Sequence, residues 1–131
     1  MEDWKIQVAI LWLIDVGCAV ISALGELVMP NGIQKLLSTG EFLGSKVTPE
    51  LLLFYAILLV VPFVMAFLSV TLKNPINRWA NIIMAIVWLG IGFIDWLWLN
   101  SAAVILLWFT EVVAKVLIIW LAWKSKQKVL S

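Results

Sequence analysis

Four apolar runs, each about 20 residues long, take up most of this chain and leave it few ways to fold. Hydrocarbon offers no partner for backbone N–H and C=O groups, and a helix satisfies them all internally. A run of that length is therefore read as a membrane-spanning helix. The chain has 131 residues, of which 64% are hydrophobic. Ordinary soluble domains are about half apolar, and a soluble fold of this size has too little interior to hide the surplus. The reading is a single all-α integral membrane domain over 1–131, a four-transmembrane-helix antiparallel bundle with a short interfacial helix between helices 1 and 2.

Pro, Asn and Gly set the boundaries. The spans are expected at about 6–29, 51–72, 76–99 and 102–123, with the interfacial segment at about 31–38. Pro30-Asn31-Gly32 stops the first span, since Pro lacks a donor and Asn-Gly favours a turn. Thr48-Pro49-Glu50 starts the second with a capping hydroxyl, a first-turn Pro and an acid at the positive helix end. Asn74-Pro75 starts the third in the same way, and Asn100-Ser101 alone separates the third from the fourth, which predicts a tight hairpin. In the long connection Ile33, Leu36 and Leu37 share one helical face, as in a helix lying in the membrane interface. Gly40 and Gly44 then loosen the chain.

Lys and Arg are distributed unevenly. Lys5, Lys73, Arg78, Lys124, Lys126 and Lys128 fall on one side of the spans, and only Lys35 and Lys46 on the other. The positive-inside rule then puts a cell-membrane protein's termini in the cytoplasm and the loop 30–47 outside. Glu2 and Asp3 ahead of a long first span argue against a cleaved signal peptide, and Asp15 shortly before Cys18 argues against a lipoprotein signal. The net charge of +1 gives no basic face for nucleic acid. No His is present, which removes His-based metal and haem ligation, and one Cys cannot form an internal disulfide. No nucleotide, metal or nucleophile motif occurs, so neither a cofactor nor a named reaction is expected.

Five ionisable residues lie inside the spans: Asp15, Glu26, Asp95, Glu111 and Lys115. A charge in hydrocarbon costs several kcal/mol, so such groups face the bundle interior, pair, or become neutral. Side chains seven residues apart return to nearly the same helix face. The resulting stripes are Asp15, Ala19, Ser22 and Glu26; Tyr55, Pro62 and Ser69; Asn81, Trp88 and Asp95 with Gly92 beside them; and Val104, Trp108, Glu111 and Lys115. Four such stripes predict a shared polar interior. Asp15 and Lys115 come to one level and are the candidate ion pair, with Glu111 one turn beyond Lys115. Glu26 and Asp95 form a second layer near the outer surface. Glu26, Asp95, Glu111, Trp88, Trp108 and Tyr55 are the candidate ligand-binding set. The plainer alternatives are an ion pair that only fixes the bundle, a Glu111 that only satisfies Lys115, outer acids that snorkel to the interface, and tryptophans that only pack. Cys18 reads as a small packing residue. Trp4, Trp79, Trp120 and Trp123 read as interface anchors at the cytoplasmic side, and Trp96 and Trp98 at the outer side.

The segment Asn77-Arg78-Trp79-Ala80-Asn81-Ile82-Ile83 resembles the signature of a small four-span bacterial membrane protein family, catalogued as domain of unknown function 6326. Gly25-Glu26-Leu27-Val28-Met29-Pro30, Val61-Pro62-Phe63-Val64-Met65 and Ile118-Ile119-Trp120-Leu121-Ala122-Trp123 agree in order, so the likeness covers most of the chain. Relatives carry a second acid where this chain has Ala23. The resemblance implies the four-helix layout and supplies no reaction. A looser likeness, at the level of fold, is to the four-span sterol-isomerase and sigma-receptor type, through the helix-one acid and Pro62-Phe63.

Three functions fit these residues. One is binding, or chemistry, of a small apolar or cationic ligand or lipid in an acidic, Trp-lined pocket. Another is a structural or assembly subunit, packed through Ala19, Ala23, Gly25, Gly90 and Gly92 against a membrane-protein partner or a second copy. The third is proton-coupled transport of a small cation through Glu111 or Asp15, against which the halves show no internal repeat.

Overall fold

The structure, a computed structural model, describes residues 3–42, 45–73, 75–94 and 102–130, the side chains of 45, 94 and 126–130 excepted. The described chain is almost entirely helical. The elements are α1 (Asp3–Val28), α2 (Gly32–Thr39), β1 (Glu41–Phe42), β2 (Ser45–Lys46), α3 (Pro49–Thr71), α4 (Ile76–Ile94) and α5 (Ala102–Leu130). Four of them, α1, α3, α4 and α5, contain windows long and apolar enough to cross a membrane.

Local chemistry explains most of the boundaries. The Thr48 hydroxyl accepts the Leu51 N–H at 3.1 Å and caps α3, with Pro49 in its first turn. Asn31 adopts φ 71° and lets the chain reverse between α1 and α2. Gly32 then passes so close to the carbonyls of Glu26 and Leu27 that a Cβ would collide with both. Gly40, at φ 68°, closes α2 by donating to Leu36 O at 2.9 Å.

Two segments depart from the expectation. The stretch beyond Gly40 is an antiparallel hairpin, with Glu41 opposite Lys46 and Phe42 opposite Ser45, where a loosened loop was expected. Strands of two residues carry too little alternation to be read from sequence. Helix α5 continues to Leu130, past the expected end near 123, because Lys124-Ser125-Lys126-Gln127-Lys128 contains no Gly or Pro to stop it. The expected turn at Asn100-Ser101 lies outside the described residues.

The long helices form a ring in chain order. Helix α1 packs along both α3 and α5, α4 packs along α5, and the α3–α4 seam is the sparsest. Neighbours are antiparallel. Lys5 near the start of α1 donates to Leu72 O after α3 at 3.2 Å, and Arg78 near the start of α4 donates to Ala122 O late in α5 at 3.2 Å. The N-terminus of α1, the α3–α4 connection and the end of α5 therefore share one end of the bundle, the near end. Hairpin and α2 lie at the far end.

The described members of the four polar stripes are all buried or half-buried. Beside them, Leu13, Ile21, Leu53, Phe67, Ile83, Leu106 and Phe109 are exposed. The two halves of the ring differ sharply. Every buried residue among those described falls within 4–16, 62–69, 77–85 or 114–125. These segments all belong to the near half. In the far half of each helix, described side chains are at most half-buried.

Candidate functional site

The near half is held by a polar cluster on the Asn-Arg-Trp-Ala-Asn block. Asn77, Arg78 and Asn81 fall on one face of the first turns of α4, and all three are buried. Asn81 Oδ1 accepts from Trp12 Nε1 of α1 at 2.8 Å and from the Ser69 hydroxyl of α3 at 3.0 Å. Its amide nitrogen donates to the backbone carbonyl and side-chain oxygen of Asn77, at 3.0 and 2.6 Å. Asn77 Nδ2 in turn donates to Ser69 O at 2.7 Å and Leu72 O at 3.0 Å, which are carbonyls at the end of α3. One asparagine thus joins three helices, and Arg78 joins the fourth through Ala122 O.

Directed bonds of this kind fix how the helices sit against one another, because a buried donor or acceptor left without its partner is costly. Sequence reading placed Ser69 and Asn81 on stripes but missed Trp12, Asn77 and Arg78 as members of one cluster. Arg78 was expected only as one of the positive charges on the side with both termini. Trp4, read as an interface anchor, is a core residue at 5% exposure beside Val8 and Trp12. It faces inward because it shares the α1 stripe of Val8 and Trp12 at helical spacing.

Above this cluster sits the ion pair. Lys115 Nζ lies 3.1 Å from Asp15 Oδ1, and both side chains are nearly sealed from the surface. Asp15 Oδ1 accepts no well-directed hydrogen bond, so charge attraction holds the contact. Gly92 of α4 flanks the ammonium: a Cβ there would stand 3.7 Å from Lys115 Nζ. Cys18, one helical turn beyond Asp15 on α1, is half-buried. Glu111, one helical turn from Lys115, is half-buried. The pair therefore forms the floor of the loosely packed half, with Glu111 just above it.

The other sequence candidates are arranged around that half. Trp108 Nε1 donates to Gly92 O at 2.8 Å, and its ring meets Phe93 edge-on at 5.7 Å, which ties α5 to α4. Trp88 Nε1 reaches Leu58 O of α3 at 3.4 Å. That carbonyl stands four residues before Pro62, which has no N–H to offer it, so the indole takes over an acceptor that the proline frees. Tyr55 and Glu26 are half-buried, Tyr55 early in α3 and Glu26 late in α1. Asp95, Trp96 and Trp98 lie outside the described residues. A shallow apolar groove of about 350 Å³ runs elsewhere, lined by Gln7, Ile10, Leu11 and Leu121, and none of the candidate residues borders it. Among the described residues, no three His, Cys, Asp or Glu side chains are grouped to hold a metal ion.

This arrangement is an acid–base pair with a second carboxylate one helical turn from its lysine, and with the Trp108 indole bonded to Gly92, which flanks the ammonium. It can hold positive charge, exchange a proton and stack on a flat or cationic group. It offers no activated nucleophile. A profile of a family of unknown function, DUF6326, matches residues 2–131, and the chain belongs to that family. No curated protein and no solved structure matches the chain.

Proposed function

We propose that this DUF6326 member is a multi-pass membrane protein whose far half binds a small apolar or cationic ligand, or a lipid, between its helices. Four long apolar helices with exposed Leu53, Phe67, Ile83 and Leu106 on their outer faces support insertion in a bilayer. The observation that carries the binding reading is the division of the bundle: all buried described residues lie in the near half, whereas Glu111, Trp108, Trp88, Tyr55 and Glu26 lie in the far half. The half-buried polar and aromatic side chains of that half suit a ligand with an apolar body and a positive charge. Asp15, Glu111 and Lys115 carry two formal negative charges and one positive, which favours a cation over an anion.

Native mass spectrometry of the protein in mild detergent tests this, comparing wild type with Glu111→Gln. The expected result is a small molecule of defined mass on wild type that the variant lacks. A wild type carrying nothing, or only phospholipid to the same extent as the variant, overturns it.

A structural role is the second reading. At Gly17, Gly25 and Gly90 an added Cβ would meet nothing within 4 Å, so these faces of α1 and α4 are free for another helix to approach closely. A protein copurifying at fixed stoichiometry, with no small ligand, would favour that reading.

The lysine asymmetry supports cytoplasmic termini in a cell membrane, with residues 30–47 outside. In a Cys18→Ser background, Lys35→Cys should react with an impermeant maleimide on intact cells. Lys124→Cys should react only after permeabilisation. The reverse pattern would invert the topology.

A further inference from the structure

The polar cluster at the near end leaves one group without a partner. Arg78 is 5% exposed, and its Nη2 has no hydrogen-bond acceptor. Its Nε is used by Ala122 O, at 3.2 Å. Its guanidinium carbon lies 4.7 Å from the ring centroids of both Trp79 and Trp123, which themselves meet edge-on at 6.4 Å. Among the described residues no carboxylate pairs with it. A buried guanidinium with neither a counter-ion nor a full set of acceptors is costly. The indoles offset part of that cost through their π faces but supply no acceptor oxygen.

Its surroundings say what would. Lys5, Lys73 and Lys124 stand at the same end, with Asp3 the only acid among the described residues there. Trp79 and Trp123 are 46% and 53% exposed, so turning either ring opens the guanidinium to the bundle surface. A planar fork with a free N–H edge, in a positive field at a helix-bundle rim, matches the oxygens of a phosphate.

We propose that Arg78, Trp79 and Trp123 form a phosphate-binding site at the near end of the bundle, with the tryptophans as its movable walls and Lys73 and Lys124 supplying only long-range attraction. The occupant is the phosphate of an anionic phospholipid headgroup or a free phosphate. The site is separate from the far-half ligand region and does not depend on it.

The test titrates short-chain phosphatidylglycerol, short-chain phosphatidylcholine or inorganic phosphate into the full-length protein in non-ionic detergent. Tryptophan fluorescence and native mass spectrometry report binding. Saturable binding of phosphatidylglycerol but not of inorganic phosphate assigns the lipid headgroup, and saturation by inorganic phosphate assigns a soluble phosphate. Arg78→Lys keeps the charge but loses the fork, and should weaken binding about tenfold. A Lys73→Gln, Lys124→Gln double variant should bind within about twofold of wild type. This second comparison does not require the Arg78 variant to fold. Two results overturn the proposal: no saturable binding of any of the three probes, or a loss of about tenfold or more in the lysine variant relative to wild type, which would reduce the effect to general surface charge.

Discussion

Lys115→Met is expected to destabilise the protein by about 3 kcal/mol, because it leaves the Asp15 carboxylate buried with no cation. Lys115 Nζ is 3.1 Å from Asp15 Oδ1, and both side chains are almost inaccessible, so water cannot take over the role of either partner. Attraction between buried charges mostly offsets their desolvation, which makes an intact pair nearly neutral overall and a broken one expensive. The double variant Asp15→Leu, Lys115→Met should therefore recover most of the loss. Reversible unfolding in mixed detergent, run on wild type, both single variants and the double, measures the coupling. If the two single losses simply add in the double variant, the pair does not act as a unit. The same four proteins separate structure from function. If the pair serves only to hold α1 to α5, the double variant should retain whatever small molecule the wild type carries.

The next largest effect is expected at Asn81, where Asn81→Leu should cost about 2–3 kcal/mol. Leucine has the same branched outline and is the larger side chain, so the loss reports hydrogen bonds rather than a cavity. It strands the Trp12 indole N–H and the Asn77 side-chain oxygen, while the Ser69 hydroxyl keeps its bond to Met65 O at 2.6 Å. The unfolded chain also finds partners for polar groups, which brings the figure below a simple sum of the bonds removed. Trp12→Phe removes one of the stranded donors, so its cost in the Asn81→Leu background should fall well below its cost alone. Thermal unfolding of the four proteins checks this. Equal costs in both backgrounds would mean that the indole and the amide do not act together.

Hydropathy alone identified the four long helices, and Pro30, Thr48, Pro49 and Pro75 marked where the chain turns, because these signals act within a few residues of where they are written. Helical period did the same for the interior faces. Asp15, Pro62, Ser69, Asn81 and Lys115 are all buried on the stripes that seven-residue spacing defines, and rise per residue was enough to bring Asp15 and Lys115 to one level. The hairpin at 41–46 was too short for any periodicity to register.

Pairings across helices were a different matter. Trp12 and Asn81 are 69 positions apart, and Arg78 and Ala122 are 44 apart. Each also has other side chains at similar depth with which it could have paired. Which of them meet depends on how close the helices approach and how each is rotated about its axis, and a single helix's sequence sets neither. For that reason Arg78 read only as one of the positive charges on the side expected to be cytoplasmic and Trp4 as an interface anchor, whereas the packing of α1, α4 and α5 buries both. The division of the bundle into a closed near half and a loose far half has the same origin. Apolar residues are no scarcer in the far half of each helix than in the near half, and the near half is where Trp12, Ser69, Asn77 and Asn81 meet.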